Sequence, residues 1–167
     1  MKNIILSLLL ALTFIGCNSK SDENKNVEAK LAVGKSLADL NLKDQNEKSQ
    51  KLSKDTKIVF FSFSKPIGHA CNEFLESKPA NFLAKHKAVY VADVSSAPSL
   101  IKKMFILPDL KELKFPILLI NNDRLSAEFT KGMNKESIVV VTLDNLKITN
   151  IKNLKDAKAL ETFFLKK

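Results

Sequence analysis

The stretch from Ile58 to Val94, IVFFSFSKPIGHACNEFLESKPANFLAKHKAVYVADV, decides the architecture. Ile58 to Phe63 (IVFFSF) is β-branched or aromatic at all but one position, the composition of a buried strand. From Gly68 to Lys87 the period changes: Ala70, Cys71, Phe74, Leu75, Phe82 and Leu83 recur at helical spacing, with Pro79 as the point of a kink. Ala88 to Val94 (AVYVADV) is a strand again. Strand, helix and strand joined by short connections imply a right-handed crossover and an at least partly parallel sheet.

The pattern continues outward on both sides. Ser95-Ser96-Ala97-Pro98 reads as a helix start leading into Leu100, Ile101, Met104 and Phe105, followed by a loop at Pro108. Phe115 to Ile120, opened by Pro116, is a third apolar strand. Ile138 to Leu143, the turn Asp144-Asn145 and Leu146 to Ile151 predict a hairpin. Asp156 to Leu165 closes as an amphipathic helix that buries Leu160, Phe163 and Phe164. On the N-terminal side, Leu37 to Leu42 and Ser49 to Leu52 flank the polar turn DQNEK. There is no internal repeat.

Composition narrows the functional classes. The chain has 167 residues, 45% hydrophobic and 27% charged, with 4 Gly and 5 Pro, so it has the apolar content for one domain plus a tail. Two cysteines exclude a disulfide-dense scaffold, a four-cysteine zinc module and a cysteine-ligated iron–sulfur cluster. The net charge is +9, but Arg124 is the single arginine and the lysines are scattered singly or in pairs such as Lys102-Lys103. A nucleic-acid partner is not expected, because such a site clusters Arg with stacking aromatics. The charge reads as a solvated lysine surface; the sharper reading is attraction to anionic lipid headgroups or an acidic partner.

The N-terminus reads as an address. Met1-Lys2-Asn3 is cationic, Ile4 to Ile15 carries no charge, and the chain turns polar directly after Gly16-Cys17. An ordinary signal peptide cut elsewhere, with Cys17 incidental, would also look like this. The Gly-Cys pair makes the segment resemble a bacterial lipoprotein signal, although Phe14 and Ile15 depart from the residues preferred before it. That resemblance implies cleavage between Gly16 and Cys17 and acyl chains on the Cys17 sulfur, so that the membrane is a partner. Two or three chains hold a protein stably on a bilayer, at about 0.8 kcal/mol per buried CH₂. Residues 1–16 are then the signal, 17–33 the lipidated terminus and flexible tether, and 34–167 the domain. The tether would reach roughly 20–25 Å. Asn18 rather than Asp after the cysteine implies the outer membrane, facing the periplasm, in an envelope with two membranes.

From Val33 to Lys167 the order of elements resembles the thioredoxin fold, and VGKSLADLNLKDQNEKSQKLSKDTKIVFFSF resembles the opening of thioredoxin-like and peroxiredoxin-like proteins. The resemblance implies an α/β three-layer sandwich with a mixed central sheet. It implies a thiol where the first core strand meets the next helix, since a helix N-terminus lowers a thiol pKa. It also makes the Pro116 strand similar to the one that follows the family's cis-proline, which would set Phe115 or Pro116 against the Cys71 loop. A trans proline opening a strand is the alternative.

No C-x-x-C occurs. With Cys17 acylated, Cys71 is the last thiol and an intramolecular dithiol cycle is excluded. Aligned on Cys71, the peroxiredoxin motif P-x-x-x-T-x-x-C retains only the cysteine; Ser64 and Gly68 replace its Pro and Thr, and Arg124 lies after the Pro116 strand. His69 stands two residues before Cys71, where it could polarise a thiolate; the competing reading is an inert cysteine on the apolar face of its helix. His69, Cys71 and His86 are too few soft ligands for a copper site, so neither metal nor cofactor is expected. The leading reading is a lipid-anchored envelope module with a degenerate thioredoxin-like domain that binds or scaffolds an envelope protein. The alternative is a single-cysteine thiol oxidoreductase or peroxidase using Cys71.

Overall fold

A computed structural model describes residues 27–166; the signal segment, Gly16, Cys17 and the tether up to residue 26 lie outside the described residues. Seven strands form one mixed sheet: β1 (Asn41–Asp44), β2 (Ser49–Lys51), β3 (Ile58–Ser62), β4 (Ala88–Asp93), β5 (Ile117–Ile120), β6 (Ile138–Asp144) and β7 (Lys147–Leu154). Their spatial order is β2-β1-β5-β4-β3-β6-β7. β3, β4 and β5 run parallel, while β1 and β6 flank them antiparallel. β3 is buried at every position because helices cover both faces of the sheet.

Alternation along β3 sends its side chains into two separate cores. Phe60 packs with Tyr90, Ile117 and Val140 beneath α1 (Lys65–Glu76) and α6 (Ala157–Leu165). Val59 and Phe61 pack with Val91, Leu118, Val139 and Val141 on the other face, where Phe129 of α5 (Asp123–Thr130) meets the Phe61 ring at 5.5 Å. In the last hairpin Asn145 and Leu146 take left-handed φ values of 46° and 62°. Two such residues make the turn whose twist matches that of the strands. Leu146 tolerates the conformation because its side chain is buried in the second core.

Several local expectations change. The helix expected over 68–87 starts earlier, at Lys65, and is divided by Pro79 into α1 and the short α2 (Phe82–Lys85). Pro108 does not open a loop. A π-helical turn over Lys102–Ile106 joins α3 (Ser99–Ile101) to α4 (Leu107–Lys111), so Pro108 falls in the first turn of a new segment, where a missing N–H costs nothing. Apolar periodicity predicts no helix where α5 forms; the Asn122 side chain caps it, accepting from Leu125 N at 2.9 Å.

Residues 27–33 do not belong to a free tether either. Leu31 is only 2% exposed, and Lys30 N donates to Glu128 O at 2.9 Å. The reason is Leu31 itself, the largest apolar side chain of the segment, which fills the second core beside Leu37 and Leu40. Among the described residues no helix is long and apolar enough to cross a membrane.

Candidate functional site

The junction between β3 and α1 is where the resemblance placed a thiol. Here it reads Ser62-Phe63-Ser64-Lys65-Pro66, with Ser64 at the N-cap position and Pro66 in the first turn. The Ser64 side chain does not cap the helix; its Oγ donates to Glu136 Oε2 at 3.4 Å. Cys71 lies two turns further along α1 and points inward.

Cys71 is fully buried among Phe74, Leu75, Tyr90 and the other side chains of the first core. Loss of water around the thiolate pushes its pKa up to about 12, and the Tyr90 hydroxyl beside it pulls it back by less. Tyr90 is itself held neutral, its pKa raised first by burial and further by the Cys71 beside it. Its hydroxyl shares a 2.9 Å hydrogen bond with Ser62 Oγ and donates to Gly68 O at 3.5 Å. Ser62, Gly68, Cys71 and Tyr90 thus form a closed polar seam beneath the first turns of α1. Cys71 within it is sealed from solvent.

The other sequence-level candidates are dispersed. His69 is exposed, because two residues along a helix turn a side chain about 200° away from Cys71. His86 Nδ1 lies 2.9 Å from Phe82 O, and its ring packs on Phe82 and Phe164. No group of three or more His, Cys, Asp or Glu side chains among the described residues is placed to hold a metal ion. Arg124, exposed on α5, pairs with Glu128 and stands apart from the thiol.

Pro116 requires a correction. No peptide bond among the described residues is cis, so Phe115–Pro116 is trans. β5 is separated from β3 by β4, so Pro116 does not border the junction at all. It sits exposed at the entry to β5, with the buried Gln45 side chain bracketing it: Nε2 donates to Phe115 O at 2.8 Å and Oε1 accepts from Ile117 N at 2.9 Å. Proline's missing N–H is thereby left facing outward.

The segment that does reach the junction is Asn134–Ser137, which enters β6, the antiparallel neighbour of β3. Asn134 Oδ1 accepts from Glu136 N at 3.0 Å, and Ser137 Oγ donates to Asn134 O at 2.9 Å, fixing the turn that presents Glu136 to Ser64. Sequence reasoning does not single out Glu136 or Ser137. The available signal is the polar NKES immediately before IVVV, but only sheet order shows which strand lies beside β3.

No family model and no curated protein matches this chain. Solved structures do. The thioredoxin domain of a thiol-disulfide oxidoreductase from Bacteroides vulgatus aligns with a TM-score of 0.55 and 14% identity, over 81% of this chain and 97% of that one. A candidate protein disulfide isomerase from Bacteroides thetaiotaomicron aligns at 0.52 and 15%, over 84% and 90%. An exposed lipoprotein thioredoxin from Streptococcus pneumoniae aligns at 0.50 and 12%, over 77% and 98%. The mixed seven-stranded sheet covered by helices on both faces is a thioredoxin-like α/β fold.

Proposed function

We propose that this chain is a membrane-anchored, non-redox thioredoxin-fold module that binds a protein of the cell envelope, held to the bilayer through acyl chains on Cys17. The observation that carries the reading is the position of the one described thiol. Cys71 is sealed in the core with its pKa pushed up to about 12, and Ser64, Lys65 and Pro66 occupy the helix start where a reactive thiol would be activated. The surface at that start, Lys65 and His69 together with Glu136, is polar and exposed, which suits recognition by charge and hydrogen bonding. The Streptococcus pneumoniae protein named above is an exposed lipoprotein, so this fold is compatible with an acyl anchor in at least that case.

The test has two arms. Intact-mass analysis of the exported chain is expected to show residues 17–167 with a diacylglyceryl group on Cys17; an unmodified sulfur would remove the anchor from the proposal. Thiol–disulfide exchange and peroxide reduction are then compared between the chain and its Cys71→Ser variant. Equal background rates are expected, and turnover that depends on Cys71 would replace the binding module with a one-thiol enzyme.

A further inference from the structure

The helical stretch from α3 through α4 packs only one of its sides. Ile106, Leu107 and Leu110 turn into the first core, whereas Leu100, Ile101, Met104 and Phe105 stand 66, 41, 58 and 55% exposed. Leu100 and Met104, like Ile101 and Phe105, are four residues apart, so the four side chains form two adjacent columns on one face. Single exposed apolar residues are ordinary on a protein surface; a contiguous face of four large ones marks a surface that something covers.

Two observations identify the cover. The first is where the N-terminal chain enters the domain. Val27 lines one groove with Ser95 and Ser96, and Lys102 Nζ donates to Ser95 O at 3.4 Å, tying that groove to the exposed helix. Cys17 precedes Val27 by ten residues, a span of at most about 33–36 Å when extended and roughly 16–19 Å on average. A lipid on Cys17 therefore holds this end of the molecule toward the bilayer.

The second observation is charge. Between Pro98 and Lys114 the chain carries Lys102, Lys103, Lys111 and Lys114 against Asp109 and Glu112, within a chain of net charge +9. Leu, Ile, Met and Phe on one face with lysines beside them is the composition of a helix that lies in a membrane interface and is drawn to anionic headgroups.

We propose that Leu100, Ile101, Met104 and Phe105 seat in the anionic phospholipid surface to which Cys17 tethers the chain, giving the domain one fixed orientation on the membrane. The inference rests on the acyl anchor proposed above. It adds a second point of attachment to the membrane.

The chain contains no tryptophan, so Phe105→Trp introduces a single, site-specific indole reporter. Residues 17–167, which include every described residue, are coupled through Cys17 to a maleimide lipid in vesicles of phosphatidylglycerol and phosphatidylethanolamine. The indole of the Phe105→Trp chain is expected to shift to the blue and to lose about half of its emission when the acyl chains are brominated, as an apolar face a few ångströms inside the headgroups would. An indole placed instead by Leu165→Trp, on the exposed end of α6, is expected to stay unquenched. Adding Leu100→Asp and Met104→Asp to the Phe105→Trp chain should return its emission to that unquenched level. The proposal is overturned if the Phe105→Trp reporter behaves like the α6 control or if the two aspartates change nothing. It is equally overturned if the blue shift appears without lipid and grows with protein concentration, which would mean that a second copy covers the face. The maleimide supplies the anchor, so a failure here is independent of whether the cell acylates Cys17, which intact mass reports separately.

Discussion

Cys71 is the residue through which the non-redox reading is most directly tested. In a Cys17→Ser chain it is the single thiol. Its ordinary pKa would be 9.0, and burial pushes it up to about 12. At pH 8 that difference alone lowers the thiolate fraction about a thousandfold, from roughly a tenth to one part in ten thousand. Steric closure slows the reaction further, since Cys71 is fully buried in the folded chain. Iodoacetamide is therefore expected to modify the native chain at pH 8 at least about 1,000-fold more slowly than a free cysteine peptide. Urea beyond the unfolding midpoint should bring the two rates together. The native rate should climb about tenfold per pH unit from pH 8 towards 11 without a plateau. The same shift has a consequence for stability. Because the folded pKa lies above the unfolded one, this contribution is complete below about pH 9 and is lost progressively as the pH rises towards 12. A plateau in the alkylation profile near neutral pH, or a native rate within about tenfold of the free peptide, would refute the reasoning.

Three further outcomes follow from the packing. Gln45→Leu leaves Phe115 O and Ile117 N buried without their partner and should cost about 2–4 kcal/mol in urea unfolding; an effect below about 1 kcal/mol would show that water replaces the clamp. Gly68→Ala should stabilise by about 0.5–1 kcal/mol, because the position is helical and the added Cβ would meet Ser62 Oγ at 3.6 Å and Tyr90 Oη at 4.0 Å, ordinary contacts; a loss of stability would mean that the polar seam cannot accept a methyl group. Burial pushes the Asp44 carboxyl up, but hydrogen bonds from Gln50 Nε2 and from the backbone N–H groups of Lys48 and Asn46 outweigh it and hold the pKa below 3.8. Its contribution is therefore complete above the unfolded pKa and lost as the pH falls through the folded one, so Asp44→Asn should flatten the acid limb of a stability–pH curve.

Elements whose signal is local are legible in the residues themselves. The all-apolar IVFFS predicts a central strand, IVVVTL and LKITNI predict a hairpin, and the apolar spacing after Asp156 predicts the last helix; all three are found. The Asn122 cap of α5 is an equally local signal, but the short polar helix behind it has too weak an apolar stripe to stand out between a strand and a hairpin. The burial of Cys71 is half legible, since its spacing from Phe74 and Leu75 puts it on the apolar face of a helix. Nothing local reveals the closed seam it makes with Ser62 and Tyr90, 28 residues apart in the chain.

Side-chain periodicity is set within a few residues, so one short run of sequence suffices to specify a strand or a helix and the face it will bury. Which strand lies beside which is chosen by pairings across tens of residues, and no periodicity encodes that choice. That is why Pro116 resembles the proline of the active-site strand until sheet order puts β4 between β5 and β3 and brings Glu136 to Ser64 instead. It is also why Leu31, in the segment that reads as a tether, is buried while Leu100 and Phe105, in an apolar helix, are not: burial depends on whether the assembled core has a surface left to receive the side chain, and the faces of this sheet are already covered.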